Sequence, residues 1–131
     1  KIQVMGHLGI LPQTTKGKFK SKGKTSRQKK QLLADAIMLE RSGVFAIVLE
    51  CVKTSIAKQI THELRIPTIE IGSSLHCDGQ VLVTDDLIGL NKTKTRFVKK
   101  FINIKKYLNI GLRKFALEVK KKKYPLKKHS Y

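Results

Sequence analysis

The run Val44-Phe45-Ala46-Ile47-Val48-Leu49 is continuously apolar and ends directly on Glu50. No polar residue alternates with the apolar ones, so it does not read as an antiparallel strand with one wet face. It reads as a strand buried on both faces, as in a parallel sheet flanked by helices. The neighbouring segments agree with this. Upstream, Leu32, Leu33, Ala36, Ile37 and Leu39 recur at near-helical spacing. They follow a capping residue at Ser26 and lead to about Ser42, with Gly43 as the stop. Downstream, Thr54 is expected to cap a second helix with Ile56, Ala57, Ile60 and Leu64 on its inner face, and Pro67 precedes a strand at residues 68–71. Residues 2–5, ending at Gly6-His7, and residues 79–83 are the remaining strand candidates. A short helix is expected near residues 96–101 and a longer one over 103–120, with Ile104, Leu108, Gly111, Leu112, Phe115 and Val119 as its stripe. The tail from Tyr124 reads as irregular.

Strands alternating with helices imply an α/β fold, a parallel sheet with right-handed crossovers. About four parallel strands with their helices fit one half of a (β/α)8 TIM barrel, whose complete chain runs to about 250 residues. The expected organisation is a single domain over residues 1–131, a partial barrel, with 121–131 as a basic C-terminal tail. Four strands alone leave two open sheet edges and an unfilled interior, so a partner half, a swapped copy or a rearranged sheet is expected to complete them.

Composition narrows the function classes. Hydrophobic residues make up 40% of the chain, too many for a disordered tail, and no apolar run approaches membrane-span length. No signal-peptide pattern opens the sequence, and the first residues already read as strand, so the chain is expected to begin inside a fold. Cys51 and Cys77 lack the spacing of a redox or zinc motif and are read as free buried thiols of a cytoplasmic protein. The net charge of +19 raises the alternative of a basic nucleic-acid-binding protein. The excess is mostly lysine, in the loop 16–30, at Lys99-Lys100 and over 120–128, with five Arg and no Trp. Arginine forks and stacking aromatics, the usual tools of nucleic-acid recognition, are therefore scarce. That disfavours nucleic acid as a partner, and a solvated lysine surface accounts for the charge.

Several short stretches carry a more specific signal. They are Gly6-His7-Leu8-Gly9-Ile10-Leu11-Pro12-Gln13, Gln31-Leu32-Leu33-Ala34-Asp35-Ala36, Val48-Leu49-Glu50-Cys51-Val52, Cys77-Asp78-Gly79-Gln80-Val81-Leu82-Val83, Lys94-Thr95-Arg96-Phe97-Val98-Lys99 and His129-Ser130-Tyr131. In their order and spacing they resemble the C-terminal half of ketopantoate hydroxymethyltransferase, a (β/α)8-barrel enzyme of pantothenate biosynthesis. The resemblance implies transfer of a hydroxymethyl group from 5,10-methylenetetrahydrofolate to 3-methyl-2-oxobutanoate (ketoisovalerate), giving 2-dehydropantoate. In that chemistry a bound Mg2+ stabilises an enolate as a Lewis acid, and a carboxylate removes the C3 proton as general base. By motif the base is Glu50, and His7 is the residue that hydrogen-bonds the substrate oxygen. The metal ligands of the family are aspartates of the first barrel half. None is expected in this chain, which on its own is expected to be inactive. The family assembles as a decamer, so a homo-oligomer is implied for the complete enzyme. A non-catalytic split-barrel or scaffold half is a further alternative.

The residues alone point the same way for Glu50. It follows an apolar strand at its C-terminal end, the face on which barrel enzymes carry their active sites. An unpaired carboxylate there needs a partner or a task, and a structural Glu capping a βα loop is the alternative. For His7 the alternative is a histidine tied to a neighbouring loop. His62 and His129 read as ordinary, His76 with Asp78 as too few ligands for a metal site, and Asp85-Asp86 as a solvated turn or helix cap. Gly17, Lys20 and Gly23 resemble a glycine-bearing family loop, whose lysines could either attract the acidic groups of a folate or simply be solvated. The chain departs from the family pattern at Glu70, Ser73 and Ser74, where Gly, Ala and Gly are typical, and at Leu11 and Lys53. Glu70 is expected to place a charge in a tight strand, and these departures near the active face put full activity in question.

Overall fold

The computed structural model describes residues 2–13, 20–92 and 95–131. The chain forms two compact units, Lys1–Leu82 and Val83–Tyr131. The first contains β1 (Met5–Gly9), α1 (Ser26–Arg41), β2 (Ala46–Glu50), α2 (Thr54–Glu63), β3 (Thr68–Ile71) and β4 (Gly79–Gln80). The strands form one sheet in the order β1-β2-β3-β4, and every neighbouring pair is parallel. This is the expected α/β architecture, with four parallel strands and their helices.

One face of the sheet is packed and the other is open. Ile47 and Leu49 of β2 are fully buried against Leu32 and Ala36 of α1 and Ile56, Ala57 and Ile60 of α2. Side chains alternate across a strand, so Val48 and Glu50 lie on the opposite face. The register puts Met5 beside Ala46, His7 beside Val48, Ile69 beside Val48 and Ile71 beside Glu50 on that same face. Of these, Ala46 is buried, whereas Met5, His7, Val48, Glu50, Ile69 and Ile71 are not. The apolar run that read as buried on both faces is fully buried on its helix side at Ile47 and Leu49, and only in part on the other, where Ala46 is buried and Val48 half-buried. That is the arrangement of half a barrel, whose inner face would pack against further strands.

Several boundaries differ from expectation for identifiable reasons. β1 begins at Met5 rather than at residue 2 and runs through His7 to Gly9, because β2 extends to Glu50 and pairs with it to the end. His7 is thus mid-strand. Thr25, not Ser26, caps α1: its side chain accepts the Gln28 N–H at 3.2 Å. Thr54 starts α2 but makes no cap bond; its hydroxyl donates instead to the Ser73 carbonyl at 2.9 Å. β4 keeps only Gly79–Gln80, with one further ladder bond from Val81 N–H to the Glu70 carbonyl.

The start of β3 is fixed by a side-chain network. Thr68 is fully buried, and both its backbone N–H and its hydroxyl donate to Asp78 Oδ2, at 2.8 and 2.9 Å. The Thr68 N–H is the main reason the Asp78 carboxyl is held below its ordinary value. A folded value below the unfolded one contributes stability that is present above the unfolded value and lost as pH falls through the folded one. Asp78→Asn is therefore expected to flatten the acid limb of the stability curve. If urea midpoints of the two proteins declined in parallel between about pH 5 and 2, Asp78 would not carry this effect.

The second unit holds α3 (Thr84–Leu87), α4 (Ile104–Lys120) and a short 3-10 turn, Lys127–His129. Asp85-Asp86 lies in the first turn of α3, and Asp86 is buried with its carboxylate accepting from Asn91 Nδ2 at 3.1 Å. This pair is helical and partly buried, not a solvated turn. The expected short helix at 96–101 is absent: Arg96 and Phe97 form a turn. α4 matches its expected span, with the Asn103 side chain accepting the Lys106 N–H, but none of its residues is buried. Among the described residues, no helix is long and apolar enough to cross a membrane.

Candidate active site

β1 and β2 bring His7 and Glu50 together. Gly9 is the register partner of Glu50, two residues beyond His7 on β1. Glu50 Oε2 lies 3.2 Å from His7 Nε2. The contact is close, yet the nitrogen makes no hydrogen bond: His7 Nε2 is shut off from solvent without a partner among the described residues. The 3.2 Å approach is a close contact without the alignment of a hydrogen bond. A buried ring nitrogen left unsatisfied next to a carboxylate costs free energy unless something else completes it. A ligand oxygen would do so once the ring turns to expose that nitrogen.

The backbone beyond Glu50 is unusual. Cys51 adopts φ 53°, a left-handed conformation that costs a non-glycine residue about 1–2 kcal/mol. It is held by three bonds: Cys51 N–H to the Ile71 carbonyl at 2.9 Å, Lys22 N–H to the Cys51 carbonyl at 2.9 Å, and Lys53 N–H to the Lys22 carbonyl at 2.9 Å. Burial pushes the Cys51 thiol up, and the negative charges of Glu50 and Glu70 push it further. Cys51 accordingly stays a neutral thiol at neutral pH and should be a poor nucleophile. Iodoacetamide should modify native Cys51 at least about ten-fold more slowly than the urea-unfolded chain. Equal rates, followed by mass spectrometry of the Cys51 peptide, would contradict this. Both cysteines are free, as expected.

The other candidate positions separate from this pair. Glu70 does not strand a charge inside the sheet. Its register partner is Leu49, on the helix side, and its carboxylate accepts the backbone N–H groups of Ser73 and Ser74. Sequence reasoning missed this role. The signal for it was a Glu placed three and four residues before two loop N–H donors, a local side-chain-to-backbone pattern. Asp78 is occupied by Thr68, and the His76 N–H donates to Ser74 Oγ at 3.2 Å. His129 accepts the Leu126 N–H through Nδ1 at 3.2 Å and lies against Tyr124. Gly23 takes positive φ and is buried beside Leu32 and Ile56, Lys20 is exposed, and Gly17 lies outside the described residues. Among the described residues no three His, Cys, Asp or Glu side chains gather as a metal site.

A family model described as ketopantoate hydroxymethyltransferase matches residues 1–127. The chain is 59% identical over 131 residues to a 3-methyl-2-oxobutanoate hydroxymethyltransferase of Pelagibacter ubique, covering 100% of this chain and 51% of that protein. It is 43% identical over 130 residues to the protein of the same name from Saccharolobus solfataricus, covering 98% of this chain and 49% of that one. The chain spans about half the length of the curated relatives it matches. Matched along almost its whole length by that family model, this chain of α/β fold belongs to the ketopantoate hydroxymethyltransferase family.

Proposed function

We propose that this chain supplies the proton-abstracting half of a ketopantoate hydroxymethyltransferase active site. The observation that carries the reading is the pairing of Glu50 with a buried His7 Nε2 3.2 Å away that has no hydrogen-bond partner among the described residues. In this reading Glu50 takes the C3 proton of 3-methyl-2-oxobutanoate, and the bonding electrons move into the enolate. His7 donates from Nε2 to a substrate oxygen, which satisfies the orphan nitrogen. Water hydrolyses 5,10-methylenetetrahydrofolate to tetrahydrofolate and formaldehyde, and C3 of the enolate then adds to the formaldehyde carbon, whose oxygen takes up the proton held by Glu50 to give 2-dehydropantoate. Mg2+, when bound, would stabilise the enolate from ligands outside this chain.

The open inner face supports a further part of the reading. Val48, Ile69 and Ile71 lie there half-buried. We take residues 1–131 as one barrel-half domain, with 121–131 as its basic tail, completed by the other barrel half within a cytoplasmic homo-oligomer.

The test is exchange of the C3 proton of 3-methyl-2-oxobutanoate in heavy water with Mg2+. The expected result is no exchange by the 131-residue chain alone and exchange when it is combined with the first barrel half of the Pelagibacter ubique relative. Magnesium-dependent exchange by the chain alone would show that it needs no second half. Absence of exchange in a mixture shown to have docked would sink the catalytic reading.

A further inference from the structure

We propose that Glu70, Ser73 and Thr54 form a brace that positions the Glu50 carboxylate; the proposal rests on the reading of Glu50 as the base. Glu50 is the last residue of β2, in register with Gly9 and Ile71, and the turn that follows it holds the end of that strand in place. That turn begins with left-handed Cys51 and continues through Val52, whose carbonyl faces the loop after β3. Ser73 donates its hydroxyl to the Val52 carbonyl at 2.7 Å. Thr54 donates its hydroxyl in the opposite direction, to the Ser73 carbonyl, at 2.9 Å. The two loops are thereby tied at one residue by bonds that run both ways.

Ser73 can hold this position because Glu70 holds Ser73. The carboxylate accepts the Ser73 N–H and, at 3.0 Å, the Ser74 N–H. Hydrogen bonds to a charged acceptor are the stronger kind. On the far side, Gln80 Nε2 donates to the Ser74 carbonyl at 3.1 Å, which links the same loop to β4. Glu70 lies in register with Leu49 on the helix side, away from His7 and Glu50. It therefore acts through the backbone and is a positioning residue, not a catalytic one. Of the departures noted at 70, 73 and 74, Glu70 and Ser73 belong to the brace, and Ser74 gives its backbone N–H to the same carboxylate. The charge at 70 has a defined task in this chain.

A purely structural role would lower stability without altering how His7 senses Glu50. The discriminating measurement is the His7 15Nε2 resonance in the folded 131-residue chain, recorded with and without Glu50→Gln. Removing the carboxylate 3.2 Å away shifts that resonance in the unaltered chain. In Ser73→Ala and in Thr54→Val backgrounds the shift is expected to fall to less than half, because Glu50 no longer keeps its place. Ser42→Ala, which removes a hydroxyl bonded to the Met38 carbonyl on α1, is the control and should leave the response whole. A full response in both brace variants overturns the proposal. Glu70→Ala should show the same loss, and if it does not fold, the two variants that retain the carboxylate decide. No substrate enters the measurement, so its outcome is separate from whether Glu50 removes a proton.

Discussion

Glu50→Gln should lower C3 proton exchange by about 10³-fold, within the roughly 10²–10⁴ range that a positioned general base contributes. The measurement is the loss of the C3 proton signal of 3-methyl-2-oxobutanoate in heavy water, with the chain combined with a relative's first barrel half. Gln keeps the shape of Glu50 and removes only its basicity, so little else should change. Binding should be largely retained, because in this reading the substrate oxygen is held by His7 and not by Glu50. His7→Gln should do the reverse in part: it weakens substrate binding while leaving a base in place. Exchange by Glu50→Gln within a factor of about ten of the parent would remove Glu50 from the role of base. The charge also acts on its neighbour. Glu50 is the second cause of the raised Cys51 thiol, after burial, so the same variant should bring that thiol back toward its ordinary value.

How legible this site was in the sequence depends on the length scale of each feature. Glu50 stood out because a carboxylate that closes a six-residue apolar run has few structural explanations. The core positions Ile56, Ala57, Ile60 and Leu64 followed from helical periodicity and are buried as that pattern requires. The strand order and parallel sense followed from strand–helix alternation. The Glu70 brace could not be read in this way. Its bonds join residues close in sequence, Glu70 to Ser73 and Ser74, to residues well removed from them, Val52 and Thr54. A sequence pattern gives the local half of such a network and says nothing of the other half. The same limit explains Thr54. As a Thr before an amphipathic run it read as a cap, but a loop from β3 offered its hydroxyl a carbonyl instead. The stripe on α4 shows a different limit. Periodicity identified the helix, yet Leu108, Leu112 and Phe115 are exposed, because periodicity marks which face is apolar and not what covers it.

Gly9→Ala should be the most disruptive single substitution in the sheet, costing more than about 4 kcal/mol. Gly9 has φ +105°, and a Cβ built there would lie 2.0 Å from the Glu50 carbonyl oxygen and 2.9 Å from Val52 Cγ2. The nearer atom is backbone, so no rotamer change relieves the clash. The Glu50 carbonyl is also the acceptor for the Ile10 N–H at 2.9 Å, and Ile10 is fully buried. Adding the methyl must therefore push the end of β2 away from β1, break that bond and disturb the packing of Ile10. Gly43 provides an internal comparison. It has a similar φ of +85° but nothing within 4 Å of where a methyl would sit, so Gly43→Ala should cost only the conformational penalty of about 1–2 kcal/mol. Urea unfolding of the two variants separates close approach from backbone conformation. A Gly9→Ala chain as stable as Gly43→Ala would mean that β1 and β2 do not approach each other so closely at this point. The large loss expected at Gly9 ties stability to chemistry, since the same contact that forbids a side chain at 9 holds the end of β2, and with it Glu50, against the strand that carries His7.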